Sequence, residues 1–246
     1  MPYTLAHPIA VAPLRRPLAR AGVTTASLVC GAMAPDAVYF VRLTPLPNDA
    51  HSLAGLFTHC LPQGLAMAAA WTFWLAPRLA DWFRLPRPDA PAWRRWIGPA
   101  SLGVLIGAAT HLLWDATSHD DGWVVARVGW LREPLGSRAA YKWNQYASGT
   151  LGSIAVAVWA WRSMPPGLWR RVGWRRAAVM AAIWLACVGG LVTTANIVHH
   201  SNSPKSYLIR FSVGLLSGTA TAAALVSLLA SLSPHAVAKG ATSSRR

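Results

Sequence analysis

"IGPASLGVLIGAATHLLWDATSHDD", residues 97–121, decides how this chain is read. Residues 97–118 form a run close to the roughly 20 apolar residues that cross a bilayer as a helix. The run nevertheless ends in His111, Asp115, His119, Asp120 and Asp121, although the whole chain holds only eight acidic residues and eight histidines. Ionisable groups at membrane depth are costly, so their default meaning is functional. The bland alternative is a helix leaving the membrane. What stands at the same depth elsewhere in the chain decides between them.

Hydrophobic residues make up 54% of the 246 positions and charged ones 13%, with 14 tryptophans. That is too apolar for a water-soluble surface and points to an all-α, polytopic membrane protein. The net charge of +15 does not indicate nucleic acid. Arginines cluster in short connections beside tryptophan, as in "APAWRRWIG" and "GLWRRVGWRRAA", the habit of cytoplasmic loops and interfacial belts. Cys30, Cys60 and Cys187 lie scattered in apolar segments and read as packing residues. No cleavable signal is expected, because the arginines of "MPYTLAHPIAVAPLRR" follow the apolar stretch instead of preceding it.

Five long spans are expected, near 53–76, 97–118, 147–164, 177–197 and 208–232. Residues 1–232 form one membrane domain, and 233–246 a flexible polar tail. The arginine-rich connections 77–96 and 162–176, with the tail, belong on the cytoplasmic side. Segments 119–146 and 198–207 then face outward. Residues 5–14 and 22–34 flank Arg15, Arg16 and Arg20 and suggest a short helical hairpin. Each arm would measure about 22 Å, slightly short of the hydrocarbon core. A single span through 22–41 is the alternative, and it would remove His7 from the outer rim.

With the hairpin, Asp36, Asp49, Asp115, Asp120, Asp121 and Glu133 gather at the outer end. His7, His51, His111, His119, His199 and His200 gather there too. Positive-inside bias explains the arginines at the other end but not this gathering. His111 and Asp115 stand four apart and share a helix face; His119 extends that stripe if the helix persists. Nitrogen and oxygen donors one turn apart make half of a divalent-metal site. The plainer readings are a helix start for His51, a packing role for His59, and a solvated exit for His119 to Asp121.

"YTLAHPIAVAPLRR", "GAMAPDAVYFVRL", "HSLAGLFTHCLPQGL", "THLLWDATSHDDGW" and "YKWNQYASGTLG" follow one another as in a bacterial membrane family known as domain of unknown function 4184. The resemblance covers most of residues 1–160. That family is in turn similar to inner-membrane metal-dependent hydrolases. Their early His, Pro-Asp, middle histidine element and late His/Asp pair correspond to His7, Asp36, His51, and His111 with Asp115. The middle element here is only "HSL", without the fuller histidine-rich form.

The resemblance implies a metal site of His7, Asp36, His51, His111 and Asp115. Three imidazoles with two carboxylates suit zinc best, with manganese or iron as alternatives. The metal would activate water and polarise a phosphoryl or carbonyl oxygen, with Asp115 or Asp120 as general base. A rim at headgroup level implies membrane lipid as surroundings and a lipid-linked or amphiphilic substrate. The competing expectation is a non-catalytic membrane protein whose His/Asp cluster is structural or ion-binding.

Overall fold

The computed structural model describes residues 4–43, 49–198 and 204–232. The proposed tail, His199 and His200 lie outside the described residues. Helices account for nearly all of the described chain, apart from one two-residue antiparallel pair, β1 (Pro134–Leu135) with β2 (Arg138–Ala139). Four helices are long and apolar enough to cross a membrane: Leu53–Trp82 (α1), Trp93–Ser118 (α2), Arg170–Val198 (within α4, Leu168–Val198), and Ser206–Leu232 (within α5, Pro204–Leu232). The remaining expected span is also one long helix, α3 (Ala140–Ser163). It starts seven residues earlier than expected, and Lys142, Asn144, Gln145, Ser148, Thr150 and Ser153 dilute its apolar character.

Two of these helices carry local irregularities with visible causes. In α1 the turns Leu56–Cys60 and Ala70–Leu75 are π-helical. Each is followed within two residues by a proline, Pro62 and Pro77. A proline has no N–H to give the preceding turn, and a wider turn re-satisfies the freed carbonyls. In α4 the kink falls at Gly173, whose φ of 73° lies in the left-handed region that glycine enters at no steric cost.

The chain packs as two units. The first comprises Met1–Val38, Leu46–Ala68 and Pro91–Ser163. Its N-terminal arm is a 3-10 helix, Thr4–Val11, followed by a short turn of α-helix at Arg15–Ala19 and a return helix, Thr25–Met33. This is the hairpin form expected from the arginine turn. The return helix is started by Thr24, whose Oγ1 accepts the Ser27 N–H at 3.1 Å. It lies against α2 at backbone distance. A Cβ on Gly107 would stand 2.2 Å from the Leu28 carbonyl oxygen, and one on Gly31 would stand 2.2 Å from that of Val104. Small residues four apart on both helices (Ser27 and Gly31, Gly103 and Gly107) let the two backbones meet, as in membrane helix pairs. Val11, Val23, Leu28 and Ala32 fill the core around that contact.

The second unit comprises Tyr39–Pro45, Ala69–Ala90 and Met164–Arg246. Its centre is the antiparallel pair α4 and α5. Gly214 sits against Val192 and Gly218 against Val188, so descending numbers on one helix meet ascending numbers on the other. In the same register, Arg210 Nε donates to Asn196 Oδ1 at 2.9 Å.

Candidate metal centre

Four pieces of the first unit deliver five side chains to one place. His7 comes from the 3-10 arm and is 5% exposed. Asp36 ends the turn Ala34–Asp36 that closes the return helix, and it is fully buried. His51 ends the turn Asp49–His51 immediately before α1. The helix-start role falls to its neighbour: Ser52 Oγ accepts the Gly55 N–H at 2.9 Å, which leaves the His51 ring to the cluster. His111 and Asp115, one turn apart on α2, both point inward and are both buried.

The donor atoms converge. His51 Nε2 lies 3.3 Å from Asp36 Oδ1 and 3.7 Å from Asp115 Oδ2. His111 Nε2 lies 3.4 Å from Asp115 Oδ2 and 3.9 Å from Asp36 Oδ1. His7 Nε2 is 3.6 Å from Asp115 Oδ1, and its ring stacks on that of His111 with centroids 3.6 Å apart. Ligands at 2.0–2.1 Å from a tetrahedral ion are separated by about 3.3 Å, so these spacings are of the order that shared coordination requires. Two triads meet the geometric condition for holding an ion, His7–His111–Asp115 and Asp36–His51–His111, with His111 common to both.

The protons on His111 sharpen the picture. Its Nδ1 is 2.7 Å from the Ala32 carbonyl oxygen, which can only accept, so Nδ1 carries the hydrogen. In the neutral ring Nε2 is then a bare lone pair, and it faces two carboxylates. Lone pairs facing each other in a buried site repel unless a cation or a proton stands among them. The same deficit shows in the buried atoms without a hydrogen bond: His7 Nδ1, Asp36 Oδ1, His111 Nε2 and Asp115 Oδ2. With three neutral imidazoles the cluster carries two negative charges, which one divalent cation balances.

Around the cluster stand groups that sequence reasoning did not single out. Thr4 Oγ1 donates a hydrogen bond to Asp36 Oδ2. Thr4 and His7 are three apart, and the three-residue repeat of a 3-10 helix places them on one face. The signal was a T-x-x-H spacing, legible only once the arm is known to be 3-10. Trp114 packs edge-on against His7, with centroids 5.4 Å apart, and its Nε1 donates to Ser148 Oγ at 3.2 Å. Gln145 Nε2 lies 2.9 Å from His119 Nε2, and Asn144 donates to the Thr117 carbonyl at 2.9 Å. Both sit in the quoted "YKWNQY" motif, where adjacent amides opening an apolar helix were the available clue.

The remaining predicted residues stand outside the cluster. His119 follows the last residue of α2 but still reaches back, with Nδ1 at 3.4 Å from Asp115 Oδ1. Asp120 is exposed; its Oδ1 accepts the Asp121 N–H at 3.2 Å and its carbonyl accepts from Arg132. It lines, with His51, Asp115 and His119, a pocket of about 610 Å³ beside the cluster. His59 is not brought in; its Nδ1 sits 2.9 Å from Thr58 Oγ1.

An all-helical chain with membrane-length spans and a buried His/Asp cluster able to hold a metal ion is thus the class that fold and site define. More particularly, the chain belongs to the family described as Domain of unknown function (DUF4184), which matches residues 1–232. The match runs well beyond residue 160, where the motif resemblance ends, and so takes in α4 and α5. No curated protein and no solved structure matches the chain.

Proposed function

We propose that this protein is a metal-dependent hydrolase of a bacterial inner membrane, with His7, Asp36, His51, His111 and Asp115 holding one divalent cation, zinc most readily. The observation that carries this reading is His111 Nε2, on a ring whose Nδ1 meets the Ala32 carbonyl, facing two buried carboxylates. The donor set fits the group: imidazole and carboxylate ligands, an outer hydrogen bond fixing one ring, and Thr4 fixing one carboxylate. When bound, such an ion polarises a phosphoryl or carbonyl oxygen and activates water. The chain's own part is to hold the ligands rigidly and to keep the far side of the cluster dry. Asp115, or Asp120 on the pocket wall, takes the proton of the attacking water. The pocket is the place for the substrate, a lipid-linked or amphiphilic phosphoester or acyl ester.

The same contacts also describe a second, non-catalytic reading, in which protonated imidazoles form ion pairs with Asp36 and Asp115. Metal analysis separates the two. Protein purified in detergent without chelators should contain zinc, manganese or iron near one equivalent. His111→Ala and Asp115→Ala should each lose most of it, and the double variant should be little worse than either single, because the groups share one function. His119→Ala should keep its metal. A metal-free wild type, together with a His111→Ala variant that only melts earlier, overturns the hydrolase in favour of the structural cluster.

The placement of the site on the non-cytoplasmic rim follows the arginine bias and has its own check. In a background without Cys30, Cys60 and Cys187, cysteines at 90 and 168 should resist an impermeant maleimide in intact cells. One at 126 should label. The reverse pattern would put the cluster on the cytoplasmic side.

A further inference from the structure

The pocket beside the cluster has a lining of two chemical kinds. His51, Asp115, His119, Asp120 and Asp121 supply ionisable groups. Leu53 and Leu56 from the first turns of α1, and Ala109, Leu112 and Leu113, which precede Asp115 on α2, supply an apolar wall. Both helices are of membrane-crossing length and composition. Leu53 is 79% exposed and Leu113 58%, so the apolar wall reaches the outer surface of those helices. For a span in a bilayer, that surface faces lipid chains and not water.

The polar end carries an independent depth marker. Trp123 lines the pocket, and Trp123 and Trp130, in the segment that follows α2, are both exposed, as is Trp143 in the first turn of α3. Exposed tryptophans at the end of a span settle at headgroup level. The pocket therefore runs from headgroup depth at Asp120 towards hydrocarbon depth at Ala109. Its volume, about 610 Å³, lies in the range of cavities that enclose a single small-molecule ligand. Asp115, 8% exposed, lines its polar end and turns Oδ2 to His51 and His111 of the cluster, so the pocket abuts the cluster there.

From this we infer that the pocket is entered sideways from the membrane, and that it takes one aliphatic chain of an amphiphile along Leu53, Leu56, Ala109, Leu112 and Leu113. The polar end of the same molecule then lies against Asp115 and His119. The inference rests on the hydrolase reading for its chemistry, but the chain site itself does not. A substrate lacking a chain of this kind would leave the apolar half of the pocket unfilled.

The test uses the full-length protein in phosphatidylcholine vesicles doped with a phosphatidylcholine that bears a diazirine on its acyl chain. Lipid around any membrane protein is labelled in proportion to its abundance, so the decisive property is saturation. After irradiation, label on peptides holding Leu53–Leu56 and Ala109–Leu113 should saturate with probe and fall when unlabelled chain is added in excess. Label near Leu185, an exposed leucine of α4, should rise without saturating. Ala109→Trp should fill the pocket and cut the saturable label at least about tenfold. Leu113→Glu changes an exposed wall residue without touching the core, and it should do the same should Ala109→Trp not fold. Label at the pocket that never saturates, or that survives both substitutions, overturns the inference. His111→Ala protein should keep the saturable label while losing metal. A metal-free wild type that still shows saturable label would therefore end the hydrolase reading and leave the chain site standing.

Discussion

The two units differ in what they do with buried ionisable side chains, although hydroxyls close on their own helices in both. In the α4–α5 pair, hydroxyls close on their own helices: Thr194 on Gly190, Ser212 on Leu208, Thr221 on Ser217, Ser227 on Ala223 and Ser231 on Ser227, each within 2.9 Å. The buried cation Arg210 is met by Asn196 and by the Tyr207 ring 5.0 Å away. In the first unit, five ionisable side chains from four segments turn towards one another, and four of their buried atoms lack a hydrogen bond. Satisfied polar groups between membrane helices contribute only modestly, at about 0.6 kcal/mol on average. Convergent unsatisfied ones are expensive to keep, and a chain that keeps them is using them. The contrast separates packing from site within one sequence.

Glycine contacts offer the largest perturbation by which to break that contrast, because both units depend on them. A side chain at Gly107 would meet the Leu28 carbonyl, and one at Gly218 would stand 2.5 Å from the Val188 Cα. Backbone is on the receiving side in both, so relaxation is limited. Gly107→Leu and Gly218→Leu should each destabilise by about 3 kcal/mol or more, the upper end for overpacked cores. Thermal melts of the detergent-solubilised variants measure this. Metal content then distinguishes the units: Gly107→Leu should lose metal with its fold, whereas Gly218→Leu should retain it in whatever protein remains folded. Equal metal loss in both would show that the cluster depends on the α4–α5 pair.

Much of this arrangement was legible in the sequence, for identifiable reasons. Apolar runs of span length announced α1, α2, α4 and α5, and the arginine turn announced the N-terminal hairpin. His111 and Asp115 were legible from helical spacing, since four residues apart is one face. His7, Asp36 and His51 have no such local signal; the topology gathered them with that pair at one rim, and the ordered motifs singled them out among the residues there. The structure brings all five together. The Ala32 carbonyl was invisible because a backbone acceptor has no letter of its own. Thr4 was hidden by the 3-10 form of the arm, and the early start of α3 by the amides that open it. The π-helical turns before Pro62 and Pro77 were hidden because a proline marks where a helix must adjust but not how.

The finest test compares one hydroxyl from each unit, Thr4 and Ser227, both buried and both hydrogen-bonded. Thr4 donates to a carboxylate of the cluster from 32 positions away in the chain. Its removal in Thr4→Val keeps the shape but leaves Asp36 Oδ2 without its donor and frees the carboxylate to rotate. Groups that orient a metal ligand typically account for 10–100-fold in affinity, so Thr4→Val should weaken metal retention by that order in a chelator competition. Ser227 only returns its proton to the Ala223 carbonyl one turn back, at 2.7 Å. That carbonyl already serves the helix, and such back-bonding slightly destabilises helices. Ser227→Ala should therefore shift stability by no more than about 0.5 kcal/mol in either direction and leave metal content unchanged. Equal, small effects from the two substitutions would mean that Asp36 needs no positioning, as expected of an ion pair and not of a metal ligand. A large loss at Thr4 with none at Ser227 would fix the difference between the units at a single hydrogen bond.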